Sequence, residues 1–190
     1  GKSTVAKMLR TGLGELVDAD RLAHQSLSRG GSVYKKIISF FGKGILKEDK
    51  NIDREKLARI VFVNKPALKK LNSFVHPAVI KEISRRILNS RKKVVILDAP
   101  LIIEAGLRPM VDKLVVVTAK KRQQFSRAGK SLGLNQKQTD MRIKSQISQK
   151  AKLRFANFII DNSGTISQTR KQVSEIRNTI ARLARKGIPG

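Results

Sequence analysis

Apolar positions along the chain alternate between two spacings. Four short runs are apolar at nearly every position and stop at turn or charged residues: Glu15-Leu16-Val17 into Asp18, Lys93 to Leu97 into Asp98, Lys113 to Thr118, and Phe158-Ile159-Ile160 into Asp161-Asn162. Such runs predict strands covered on both faces, as in a parallel sheet. Between them apolar residues recur every three or four positions. Thr4 to Leu13 predicts a short helix ending near Gly14, and Asp53 to Val63 places Leu57, Ile60 and Val61 at helical spacing. Pro66 to Leu88 repeats the spacing through Leu68, Leu71, Val75, Val79, Ile83 and Ile87, and Gln168 to Leu183 predicts the closing helix.

Strands alternating with helices predict an α/β fold: one domain over 1–190 built on a doubly wound parallel sheet in three layers, α/β/α. Two stretches exceed what a crossover needs. Residues 23–91 are helical, broken by the turn-rich Phe41-Gly42-Lys43-Gly44, and predict an inserted subdomain. Residues 120–154 carry eleven Lys or Arg against one acid, Asp140, which suits a cationic lid over phosphates.

Composition narrows the function. A hydrophobic fraction of 40% supports a packed core, and no apolar run approaches the roughly 18 residues that span a bilayer. The absence of Cys excludes disulfides, thiolate metal sites and a cysteine nucleophile, and the only two histidines, His24 and His76, suggest no metal centre. Cytosol is the expected address. The 41 Lys plus Arg against 14 Asp plus Glu leave a formal charge of +27, which attracts polyanions without naming one.

The chain opens Gly1-Lys2-Ser3-Thr4, the closing residues of the phosphate-loop pattern GxxxxGK[ST]. There, backbone N–H groups and a helix N-terminus cradle phosphates, Lys reaches the β and γ phosphates, and the next hydroxyl ligates Mg²⁺. A GK[ST] tripeptide occurs by chance in roughly one chain of this length in ten, so context must decide. The context is a helix at once and then a strand ending in Asp18-Ala19-Asp20. Asp20 at a strand end is placed either as a base for an attacking hydroxyl or as a turn or N-cap acid. Val94-Val95-Ile96-Leu97-Asp98 repeats the form, with a carboxylate able to act through Mg²⁺ or its waters.

The ordered set Asp18 to His24 (DADRLAH), His76-Pro77, Leu97 to Leu107 (LDAPLIIEAGL), Arg142 to Gln146 (RIxxQ) and Ile159 to Thr165 (IIDNSGT) resembles dephospho-CoA kinase over nearly the whole chain. That resemblance implies a P-loop kinase moving the γ-phosphoryl of ATP, with Mg²⁺, to the 3′-hydroxyl of dephospho-CoA. It implies that Lys2, Ser3 and Thr4, with Gly1, hold ATP phosphates and Mg²⁺, and that Asp20 is the base. His76 and Pro77 would belong to the acceptor-binding subdomain. Asp98, Pro100 and Leu101 would lie at the phosphate end of the sheet near both substrates, with Ser3 and Asp98 serving the metal. Arg142 would approach the polyphosphate, and Asn162, Ser163 and Gly164 the adenine.

Alternatives from the residues alone are another small nucleoside or nucleotide kinase, or a basic RNA-binding protein; against the latter, aromatics are 4% with no Trp and no stacking motif. Arg127 followed by Lys130 stands where the family commonly carries an R-x-x-R element, and Lys does not reproduce a planar Arg contact. A phosphate loop also needs a strand feeding its glycine turn. The expectation is therefore that an apolar strand and a Gly-rich turn, roughly ten residues, precede Gly1 in the natural polypeptide.

Overall fold

The computed structural model describes residues 1–132, 139, 143 and 146–187. Its strands are β1 (Glu15–Asp18), β2 (Val95–Asp98), β3 (Val115–Thr118) and β4 (Phe158–Asp161). The helices are α1 (Lys2–Arg10), α2 (Ala19–Leu27), α3 (Tyr34–Phe41), α4 (Arg54–Val63), α5 (Lys65–Asn89), α6 (Lys121–Leu132), α7 (Gln149–Leu153) and α8 (Ile166–Lys186). All four expected strands and the long helices fall where periodicity predicts them. Among the described residues, no helix is long and apolar enough to cross a membrane.

The chain divides into two compact units, one of residues 1–16 with 91–190 and one of residues 17–90. The first holds strands and flanking helices. Strands β3 and β4 run parallel in the register Val115 to Phe158 through Thr118 to Asp161, and β1 neighbours β2. The strands thus pair two and two. The pairs are joined by side chains, because Ile96 of β2, Val115 and Val117 of β3 and Phe158 of β4 pack against a core of Val5, Leu9, Ile160, Val173 and Ile176. Gly14 turns α1 into β1, where the Glu15 N–H donates to the Val94 carbonyl at 3.1 Å. A Cβ at Gly14 would run into that carbonyl, so only Gly permits the approach.

Coverage of the strands departs from the sequence expectation at β4. Ile160 is 0% exposed and Ile159 is 54% exposed, so β4 is sealed on one face rather than two. The physical reason is that successive side chains of a strand point to opposite faces, and α1 and α8 pack on the face that Ile160 occupies. Helix α8 starts at a capping box, in which Thr165 accepts from the Gln168 N–H and the Gln168 side chain accepts from the Thr165 N–H.

The second unit is helical. Its core comprises Leu22, Val33, Ile37, Ile45, Leu57, Val61, Val75, Val79 and Ile83, with α5 packed against α2, α3 and α4. Asp53 and Asn64 cap α4 and α5 with their side-chain oxygens. The Phe41 to Gly44 patch ends α3 at Gly42, whose φ of 78° a glycine adopts without strain, and leads into a 3₁₀ turn, Lys43–Ile45. Helix α5 runs through Pro77 without stopping. His76-Pro77 is therefore not a helix end. Pro77 lies on an exposed face, while Val75 and Val79 on either side are buried and hold the helix together across the missing N–H.

Neighbouring residues of β4 provide a test of this core. Ile160→Ala is expected to cost about 2–5 kcal/mol of unfolding free energy, and Ile159→Ala less than about 1 kcal/mol. Urea unfolding of the two variants measures both, and equal losses would contradict the one-sided burial.

Candidate functional site

Two carboxylates distinguished in DAD do different work. Asp18 ends β1 and caps α2, its Oδ1 accepting from the Arg21 N–H at 2.9 Å. The N-cap role that the sequence left open for Asp20 therefore belongs to Asp18. Asp20 lies in the first turn of α2 and is exposed.

His76 and Pro77 sit in the middle of α5, the helix against which α2 packs. His76 is half-buried, and that burial lowers its pKa, so the neutral imidazole is favoured. A neutral ring can both donate and accept a hydrogen bond.

The other unit gathers the phosphate-loop residues. Gly1 is the N-cap of α1, and the Val5 N–H donates to its carbonyl at 3.0 Å; no side chain caps the helix. Lys2, Ser3 and Thr4 are exposed in the first turn, while Val5, Ala6 and Leu9 are buried below them. The uncapped first turn points backbone N–H groups outward, the arrangement that suits an anion. Lys2, Arg127 and the Asp98 carboxylate each lie within electrostatic reach of the Gly1 nitrogen.

Asp98 is buried at the end of β2, and Pro100 and Leu101 follow it in a turn. Leu101 is exposed, whereas Ile102 and Leu107 anchor the loop in the core. The Asn162 side chain lies against Gly1 so closely that a Cβ there would collide with its amide. Its Oδ1 accepts from the buried Thr169 hydroxyl at 3.0 Å, and its backbone carbonyl accepts from Arg127 at 2.9 Å. Ser163 hydrogen bonds, from side chain and backbone, hold the Asp161 carboxyl below its usual range. Gly164 has no room for a Cβ because the Gln168 side chain fills that space.

Arg142 lies outside the described residues. Arg127, also in the basic stretch 120–154, is the described cation that reaches Asn162. Sequence reasoning missed the groups that hold this surface in shape. Thr169 fixes the Asn162 amide, Gln123 Nε2 donates to the Ser163 carbonyl at 2.9 Å, and the Lys120 N–H donates to Ser163 Oγ at 3.1 Å. No local pattern marks Gln123 or Lys120 as the partner of Ser163, 40 and 43 positions away, or Thr169 as the partner of Asn162.

Comparison with known proteins agrees with the motif order. The dephospho-CoA kinase family model matches residues 1–168. Dephospho-CoA kinase of Aquifex aeolicus is 41% identical over 183 residues, 96% of this chain and 93% of that protein. The enzyme of Carboxydothermus hydrogenoformans is 40% identical over 179 residues, 93% of this chain and 87% of its own. Among solved structures, dephospho-CoA kinase from Campylobacter jejuni superposes with a TM-score of 0.68 at 30% identity, covering 95% of this chain and 92% of its own. A Thermus thermophilus protein reaches 0.78 at 26% identity, covering 96% and 92%. With an ordered motif set, a family match over most of its length and relatives of this similarity, the chain belongs to the dephospho-CoA kinase family.

Proposed function

We infer that this chain transfers the γ-phosphoryl group of ATP to the 3′-hydroxyl of dephospho-CoA, the last step of coenzyme A synthesis. The observation that carries the reading is the family match over residues 1–168. Several features of the chain support specific roles. The uncapped N-terminus of α1, with Gly1, Lys2, Ser3 and Thr4, receives the ATP phosphates. Asn162 and Gly164, held by Thr169 and Gln168, form the rigid turn assigned to the adenine. Arg127 and Arg142 supply positive charge to the polyphosphate. The helical unit 17–90, with His76 and Pro77, is assigned to the acceptor, and the basic stretch 120–154 to a lid.

Mg²⁺ fits this residue set. The ion is usually held by one or two carboxylates, substrate phosphates and water rather than by an all-protein cage. The Ser3 hydroxyl and the Asp98 carboxylate, the latter within electrostatic reach of Gly1, would hold it. When bound, the ion neutralises charge on the β and γ phosphates.

In the reaction the acceptor oxygen forms a bond to the γ phosphorus, the bond to the β,γ-bridging oxygen breaks, and ADP leaves. The hydroxyl proton goes to the carboxylate of Asp20. Lys2 and the amides of α1 stabilise charge that spreads over the phosphoryl oxygens, which lowers the barrier without covalent participation by the protein. The cytosol is the proposed address of the reaction.

Two measurements test this reading. ADP release is expected with dephospho-CoA and at most marginally with AMP, uridine or shikimate; preference for any of those three would overturn the assignment. Asp20→Asn is expected to lower kcat by roughly 100-fold or more while leaving ATP affinity within about twofold. Equal loss of turnover and ATP binding would make Asp20 a structural acid.

A further inference from the structure

One partly buried charge pair has no part in the chemistry just described. Lys152 directs its ammonium at three oxygens: Glu104 Oε1 at 3.2 Å, the Pro100 carbonyl at 3.1 Å and Gln146 Oε1 at 3.0 Å. Glu104 Oε1 also accepts from the Ile147 N–H at 3.1 Å. The two charged side chains are only 18% and 17% exposed. An ammonium has three protons, and all three have acceptors here, so Lys152 has no donor left for a phosphate.

The contacts join two segments distant in sequence. Pro100 and Glu104 belong to the loop that follows Asp98, whereas Gln146, Ile147 and Lys152 form the stem leading out of the basic stretch. The next side chain on that stem, Gln149, accepts from the Ala119 N–H and from Gln124 Nε2. The loop after β2 and the residue after β3 are thereby held on one short helix, α7.

Exposed ion pairs add little stability and buried ones are often matched by apolar residues of the same volume, so a partly buried pair such as this one is weak evidence of a stabilising role. What it does supply is direction, because three acceptors around one ammonium define a point in space. We propose that Lys152, held by Glu104, is a positioning residue for phosphoryl transfer: it fixes the loop that begins at Asp98 in its working geometry without touching either substrate. The proposal rests on the kinase reading above.

The test pairs kinetics with stability. In the double variant Glu104→Gln/Lys152→Met both charges are removed and the side-chain lengths kept. Its thermal midpoint is expected within about 3 °C of wild type. Its kcat with dephospho-CoA is expected to fall by roughly 10- to 100-fold, as a displacement of ~1 Å in a reacting group produces. KM for ATP should change less than about threefold. A folded double variant with wild-type kcat overturns the proposal, as does a loss of kcat matched by a loss of folded protein.

Lys152→Arg covers the case in which the double variant fails to fold. It keeps the charge but replaces the ammonium by a planar fork that cannot meet the same three acceptors. A severalfold lower kcat at unchanged thermal midpoint is expected, and full kcat would overturn the proposal. Should wild type fail to turn over dephospho-CoA, the kinase reading fails on its own. Hydrogen exchange then decides the positioning role: faster exchange at the amides of residues 102–107 in Lys152→Arg, with β4 unchanged, supports it, and unchanged exchange in the loop overturns it.

Discussion

Everything assigned to phosphate binding depends on burying one side of α1. A helix of nine residues is too short to persist in water unaided. Val5 and Leu9 hold it by packing against Ile160 of β4 and Val173 and Ile176 of α8. Those contacts commit the inner face of the helix. The first turn must then present Lys2, Ser3 and Thr4 outward, at a helix start that no side chain caps. A hydrophobic cluster thus sets the direction of an electrostatic site.

The scarcity of acids gives each of them a visible task. In a chain of +27, a carboxylate finds a cation almost anywhere, so charge alone does not say where it will serve. Asp18 and Asp53 accept backbone N–H groups at helix starts, and Asp161 accepts from Ser163. Glu82 takes hydrogen bonds from Arg85 and Arg86, which hold its pKa down to about 2. Because the pair is exposed on α5, solvent screening leaves it little weight in stability. Glu104 is largely buried and joins segments far apart in sequence, and Asp20 is exposed at a helix start whose cap is another residue.

Much of this was legible in the residue pattern. The strands announced themselves as short apolar runs with acids behind them, and α5 as a long repeat of apolar positions, because those periodicities follow from local geometry. The same repeat carries α5 through Pro77: proline normally closes a helix, yet buried Val75 and Val79 flank it here. The run Phe158-Ile159-Ile160 looks doubly buried, yet α1 and α8 pack on the face of Ile160 and Ile159 points the other way, into solvent.

The sequence alone determined which chemical groups are available and in what order: a GKST start, two acids two residues apart, an apolar strand ending at Asp98, and a turn at Asn162. These are properties of neighbours along the chain, and their motif order sufficed to point to the family. Tertiary structure alone decided which cation meets Asn162, and that Lys152 meets Glu104 and Pro100. The physical reason is range. A periodicity or a cap is written within a few residues, whereas an ammonium finds an oxygen 52 positions away only after the core has brought both to the same place.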